Sequence, residues 1–269
     1  MPAYLDAILH AHRAAAAADR RDVAATVAGV RQRMADREGG DRRDFVAALV
    51  TGHRARGMAV ISEIKRRSPS RGELDAGLDP AVVAADYAAG GASCLSVLTD
   101  GEFFGGAVAD LVAARGACGL PVLRKDFTVG PLDVCDAATM GADAVLLIVA
   151  ALDDGELGVL LGLARDLGLA PLVEVHDEAE LERALAAGAD LVGVNQRDLR
   201  TFEVDRERAL RMGERMPPGV VAVAESGIRD AADVERLAGA GYTAVLVGET
   251  LVRSADRISA VDGLLGARA

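Results

Sequence analysis

Polar side chains that could do chemistry stand where short apolar runs end. The run Met58–Ile64 carries Glu63 and is followed at once by Lys65. Pro121–Arg124 leads into Lys125, Ala170–Val175 carries Glu174, Leu191–Val194 leads into Asn195, and Val220–Ala224 leads into Glu225 and Ser226. Residues two apart on a strand share a face, so Glu63 and Lys65 point the same way. A carboxylate and an ammonium buried together are costly unless they pair or react. A structural ion pair is one reading of Glu63 and Lys65 taken alone. Polar groups on several strand ends, all turned towards one region, suit acid–base chemistry better. Carboxylates there exchange protons, and ammonium groups steady negative charge that develops on an oxygen.

A separate signal points to an anion. Ser226-Gly227-Ile228 follows one run, and Gly248-Glu249-Thr250 follows the last, Ala244–Val247. Glycine lets backbone N–H groups come close to a phosphate, and a helix start adds partial positive charge. Tight turns alone would also use these glycines. Only the backbone of Glu249 could serve a phosphate, because its carboxylate would repel one.

The elements that must position these groups repeat along the chain. With Cys94–Leu98 and Ala144–Val149 there are eight β-branched runs. Each is followed by a polar loop and an Ala/Leu-rich stretch long enough for a crossover helix, which predicts parallel strands. Gly91, Gly141, Gly188 and Gly241 precede every second run at intervals of about 50 residues, where a left-handed glycine would end a helix. Even repetition predicts a closed (β/α)8 TIM barrel rather than an open doubly wound sheet. The 269 residues suit one such domain, with the barrel over 57–269 and a helical extension over 1–56. In the extension, Tyr4, Leu5, Ile8 and Leu9 form one helical stripe, and Asp44–His53 reads as another helix. Arg31–Arg43 reads as a mobile loop. The extension could cap the barrel's bottom or lie over its mouth.

Composition narrows the function classes. A net charge of −11 argues against a nucleic-acid partner but permits an anionic small molecule. Fifty-one per cent apolar residues with no Trp predict a core of Ala, Val, Leu and Ile. No stretch is long and uncharged enough to span a membrane, and the Ala14–Ala18 run between Arg13 and Asp19 reads as helix. Cys94, Cys118 and Cys135 have no CxxC or metal spacing, which fits buried thiols in a reduced, cytoplasmic protein. No metal set is expected. His10 and His12 lie two apart on a helix and face different ways, His53 reads as solvated, and His176 as a surface residue. Asp153–Glu156 reads as a helix cap, and Arg20–Arg21 and Arg42–Arg43 as solvated faces.

The segments ISEIKRRSPSRG, SVLTDGEFFGG, VLRKDF, LLIVAALDD, LVEVHDEAEL, VGVNQRDLRTFEVD, AESGI and VLVGETLV, in this order, closely resemble the indole-3-glycerol phosphate synthase family. The resemblance runs from about residue 4 to residue 255. It implies a carboxy-lyase of tryptophan biosynthesis that turns 1-(2-carboxyphenylamino)-1-deoxyribulose 5-phosphate into indole-3-glycerol phosphate, carbon dioxide and water. It implies no metal or organic cofactor, a small-molecule substrate only, and a monomer. By resemblance Lys125 is the acid beside the sugar ketone, Glu174 and Glu63 are the carboxylates near the later proton transfers, and Lys65 pairs with acid groups and reaches the substrate. Asn195, Glu225 and Ser226 match positions that hold the sugar. Ser68, Phe127 and Arg197 match the anthranilate end, and Gly227, Gly248 and Glu249 the phosphate loops.

Departures from the family pattern are small. Glu249 stands where Ser is common, Gln196 where Asn or Ser is common, and GGAV at Gly105–Val108 replaces a GGS pattern. EGGDRRDF at Glu38–Phe45 lacks a Pro-rich approach. One rival is a phosphoribosylanthranilate isomerase-like barrel, which would need a Cys/Asp pair where this chain has Glu and Lys. The other is a non-catalytic phosphate-binding paralogue, which would have no reason to keep burying costly charges.

Overall fold

A computed structural model of the protein describes residues 4–36, 42–68 and 72–266. Eight parallel strands close into a barrel: β1 (Ala59–Ile64), β2 (Cys94–Leu98), β3 (Val122–Lys125), β4 (Ala144–Ile148), β5 (Ala170–Val175), β6 (Leu191–Asn195), β7 (Val221–Glu225) and β8 (Ala244–Val247). The ring closes because β1 pairs with β2 on one side, Ile61 opposite Cys94, and with β8 on the other, Ala59 opposite Ala244. All eight expected runs are strands. Three reach one residue further than read, so Lys125, Asn195 and Glu225 are the last residues of their strands.

Two devices repeat around the ring. Gly91, Gly141, Gly188 and Gly241 have φ of 93°, 92°, 86° and 88°, the left-handed turn that releases each helix into the next strand. Helices begin on aspartates: Asp79, Asp153, Asp177, Asp230 and Asp256 each accept a backbone N–H of the first turn. Each such cap contributes about 1 kcal/mol. Part of the acidic composition is thus spent on stopping and starting helices. The barrel interior is aliphatic, with Ile61, Leu123, Leu146, Leu172 and Val223 buried on the inward face.

The extension does both of the things left open by the sequence. Helix α3 (Phe45–Arg56) packs on β1 at the bottom of the barrel. There Arg43 donates to the carbonyls of Leu120 and Arg115, at 2.7 and 3.2 Å. Helix α2 (Val23–Asp36) runs up the side against the helix Pro131–Met140. Helix α1 (Tyr4–Ala18) lies over the mouth. Tyr4 meets the rings of Phe103 and Phe202 edge-on, at 6.0 and 5.0 Å, in two different βα loops. His12 Nε2 is 2.9 Å from Asp100, in the loop after β2, and Arg13 pairs with Glu156 at 2.8 Å.

Several readings change. Residues 31–36 of the expected mobile loop are the last turns of α2, and 37–41 lie outside the described residues. Arg43 is half-buried rather than solvated, because it ties the extension to the barrel bottom. Arg21 is exposed but bonds Asp19 and Asp136. His53 is half-buried, with its Nδ1 shut away from solvent. Cys94 and Cys135 are buried free thiols, whereas Cys118 is half-exposed. Asp153 and Glu156 form a reciprocal cap, as expected. No helix of the described residues is long and apolar enough to cross a membrane.

Candidate active site

A cavity of about 900 Å³ opens at the carboxyl ends of the strands. Glu63, Lys65, Ser68, Lys125, Phe127, Glu174, Asn195, Arg197, Glu225, Ser226, Gly227, Gly248 and Glu249 all line it. Every site residue singled out in the sequence therefore reaches one chamber, although the residues come from six different strand ends and the loops that follow them.

The floor is a charged network. Lys125 Nζ lies 2.8 Å from Glu174 Oε2 and 3.3 Å from Glu225 Oε2. Asn195 Nδ2 donates to Glu174 Oε1 at 3.1 Å. Lys65 pairs with Glu63 Oε1. Two glycines make this crowding possible. A Cβ on Gly193 would run into the Glu225 carboxylate, and one on Gly248 would run into that of Glu63. Gly248, read as a phosphate-loop residue, is thus also the space that Glu63 occupies.

Burial and neighbours divide the charges. Burial opposes the Lys125 charge, but Glu174, Glu225 and Glu63 outweigh it and hold the ammonium well above the usual lysine range. Burial also opposes ionisation of Glu174, yet Lys125 and His176 keep it well below the usual carboxylate range. For Glu225 burial wins: it is pushed up to about 8, against the pull of Lys125 and with the push of Glu174. Around Lys125, therefore, Glu174 favours the ionised form and Glu225 the protonated one.

The two ends of the cavity differ. Phe104, Phe127, Leu98, Leu199 and Phe202 give an apolar wall. Phe127 stacks at 6.2 Å from Phe104 and 5.4 Å from the His12 ring. Arg197 stands here, its guanidinium donating to the Phe202 carbonyl at 3.0 Å. Ser68 sits on a short hairpin beside β1. The other end is made by the loops after β7 and β8. Ser226 and Gly227 take successive φ of 65° and 75°, a conformation that costs a non-glycine about 1 kcal/mol or more. Gln196 Nε2 holds this turn through the Ser226 carbonyl at 2.7 Å, and Thr250 Oγ1 ties the two loops together through the Ile228 carbonyl at 2.9 Å. Arg206, Arg229 and Arg253 also line this end.

Residues 5–264 match the family model for indole-3-glycerol phosphate synthase. The chain is 51% identical over 252 residues to the indole-3-glycerol phosphate synthase of Parafrankia sp. (strain EAN1pec), covering 94% of this chain and 91% of that one. It is 49% identical over 263 residues to that of Mycolicibacterium gilvum (strain PYR-GCK), covering 98% and 94%.

The chain belongs to the indole-3-glycerol phosphate synthase family.

Among solved structures, a 3-hexulose-6-phosphate synthase superposes with a TM-score of 0.64 at 19% identity, covering 79% of this chain and all of that one. At such identity the likeness shows a shared barrel fold. Within an indole-3-glycerol phosphate synthase framework, one histidine was misjudged from sequence and another gave no signal. His176 is not a surface residue: its ring is largely buried, with Nε2 3.4 Å from Glu174 and Nδ1 3.0 Å from Glu180. His12 reaches across the mouth to Asp100 and, at 3.9 Å, to Asp126. The His12–Asp100 contact latches α1 to the loop after β2, while Asp126 is held by Thr99, Arg124 and the Phe127 N–H. The cationic lining by Arg206, Arg229 and Arg253 also went unread, because lone arginines in loops give no pattern.

Proposed function

We propose that Lys125 is the cation that receives the developing oxyanion in this chain's reaction, with Glu174 and Glu63 moving protons beside it. The chain is a carboxy-lyase that closes, decarboxylates and dehydrates 1-(2-carboxyphenylamino)-1-deoxyribulose 5-phosphate to indole-3-glycerol phosphate, a step of tryptophan biosynthesis. The single observation that carries the assignment of roles is the placement of Lys125 Nζ between Glu174 and Glu225, on the floor of a chamber with one apolar end and one amide- and arginine-lined end.

The first step joins the aryl carbon bearing the carboxylate to the ketone carbon of the sugar. The carbonyl electron pair moves onto oxygen, and the fixed Lys125 ammonium in a poorly solvated chamber stabilises it without reorganising and passes it a proton, giving the hydroxyl. Carbon dioxide then leaves, and its bonding pair restores the aromatic ring. Dehydration follows: the hydroxyl departs with a proton from an acid, and a base takes a proton from the neighbouring ring carbon. Glu174 is held ionised and suits the base. Lys65, paired with Glu63, is a second cationic donor to the departing oxygen. Phe127 and Phe104 wall the aryl ring, Ser68 and Arg197 stand near its carboxylate, and Asn195, Glu225 and Ser226 orient the sugar. The phosphate sits against the backbones of Gly227, Gly248 and Glu249, with the Glu249 carboxylate turned towards Arg253 at 3.9 Å.

We also infer a cytoplasmic monomer that needs no metal or organic cofactor, since each step is a proton transfer or bond change that lysine and carboxylate can serve. The test is turnover of the purified protein with the anilino-deoxyribulose phosphate, followed by indole fluorescence with a chelator present. Product formation is expected. Its absence from folded protein would remove the assignment.

A further inference from the structure

Two hydrogen-bond donors and one nearby imidazole converge on Glu174, and fewer groups favour charge on Glu225. Glu174 Oε2 takes Lys125, and Oε1 takes Asn195 at 3.1 Å and faces His176 Nε2 at 3.4 Å. Glu225 meets one cation, Lys125, at 3.3 Å on Oε2, and lies against the Glu174 carboxyl; its Oε1 is buried without a hydrogen-bond partner, pressed towards Gly193. Both carboxyl groups are about 1% exposed, so solvent cannot make up the difference. An ionised oxygen left bare in that place is far costlier than a neutral one. The pair has one ammonium between two carboxyl groups, and one proton resolves the imbalance.

His176 decides which member keeps the charge. It is the residue after β5, and the chain turns there into the helix Glu178–Ala186, which starts on Asp177. That cap fixes Glu180 in the first turn: Asp177 accepts the Glu180 N–H at 2.8 Å. Glu180 Oε2 in turn accepts the backbone N–H of His176 at 2.8 Å and faces its Nδ1 at 3.0 Å. Glu180 holds the ring at Nδ1 from outside the chamber, and Nε2, buried without a hydrogen-bond partner, is turned towards Glu174 on the floor at 3.4 Å.

We infer that His176 is a positioning residue: clamped by Glu180, it presents a positive edge to Glu174 and fixes Glu174 as the ionised member of the pair that shares Lys125, leaving the proton on Glu225. The charged groups that face this set are Lys125 from β3, Glu63 from β1, Glu225 from β7, Glu180 from the following helix, and Asp198 from the loop after β6. Among them only His176 favours charge on Glu174 without equally favouring it on Glu225. The ring is itself held charged: burial opposes this, but Glu174 and Glu180 push it up to about 9. The device supplies the proposed reaction with an unprotonated base and keeps the proton on the sugar-orienting Glu225, two strands away on the same floor. It therefore rests on the reading of Glu174 as the base, but it can be read in the resting protein without turnover.

The test is carbon-13 NMR of the full chain labelled at glutamate carboxyls, with Glu174 and Glu225 assigned by the signals lost in Glu174→Gln and Glu225→Gln. In the unchanged protein Glu174 should stay ionised across the range while Glu225 titrates near pH 8. In His176→Asn, Glu174 should take over part of that titration, and kcat should fall roughly 10- to 100-fold with KM little changed, the scale of a mispositioned proton-transfer group. His176→Gln keeps a donor without a charge and should behave like His176→Asn. Glu180→Gln should lower the His176 titration and move Glu174 the same way. A Glu174 signal that is flat in every variant, or full recovery by His176→Gln, would overturn the role. If the charge partition shifts as expected but turnover does not, the positioning stands and the choice of Glu174 as base fails.

Discussion

Lys125 Nζ and Glu174 Oε2 meet at 2.8 Å across the barrel floor, although β3 and β5 do not pair with each other. Barrel closure makes this contact, because closure turns the ends of non-adjacent strands towards a common axis. The ion pair is nearly dry, and removing one partner of such a pair leaves the other stranded, at a cost of about 3–5 kcal/mol.

Glu174→Gln and Glu225→Gln should differ sharply. Gln mimics a neutral carboxyl, which Glu225 already is at neutral pH, and does not mimic an ionised base. We expect turnover at pH 7 to fall by about 100-fold or more in Glu174→Gln, on the scale of a lost general base. Glu225→Gln should lose far less and should also lose the alkaline fall in rate near pH 8. Steady-state rates across pH check both.

Stability should decline through the alkaline range. His176 has a folded value of about 9 against 6.5, so its contribution is complete below 6.5 and vanishes as pH rises through 9. Glu225 has a folded value of about 8 against 4.5 and acts with the same sign, because the folded state keeps a proton that the unfolded chain releases. Urea midpoints should fall between pH 6.5 and 9, and the fall should be shallower in Glu225→Gln.

Gly248→Ala should cost activity through Glu63 rather than through phosphate alone. Its Cβ has no space beside the Glu63 carboxylate. The side chain of Glu63 must then move off Lys65, and kcat should fall together with any rise in KM. A change in KM alone, with kcat kept, would separate Gly248 from Glu63.

The latch of α1 should matter for substrate retention. Burial opposes the His12 charge, but Asp100 and Asp126 raise its titration. Burial opposes the Asp100 charge, but His12 and the N–H groups of Phe103 and Phe104 lower it. The contact is therefore lost as pH rises through the His12 value and as pH falls through the Asp100 value. His12→Asn should raise KM a few-fold, about what one lost ion pair near the surface allows, and should leave kcat within about two-fold.

Much of this was legible in the sequence, for physical reasons. The eight runs are almost wholly apolar because both faces of a barrel strand are buried, and the left-handed glycines punctuate them. Glu63, Lys125, Glu174, Asn195 and Glu225 stood out because charge at the end of such a run has few structural excuses. His176 did not stand out, since its burial comes from Glu180 folding back on it from the next helix. His12 gave no signal either, because its partner Asp100 lies far along the chain. Helix α2 was missed because it buries only Val30 on the barrel side and so carries no apolar stripe.

The most direct test is Lys125→Ala, with turnover and substrate binding measured separately on folded protein. Turnover should drop by about 1,000-fold or more, the scale of a lost oxyanion-stabilising group, while the anilino-sugar phosphate still binds through its aryl and phosphate ends. Rapid turnover by that variant would contradict the account.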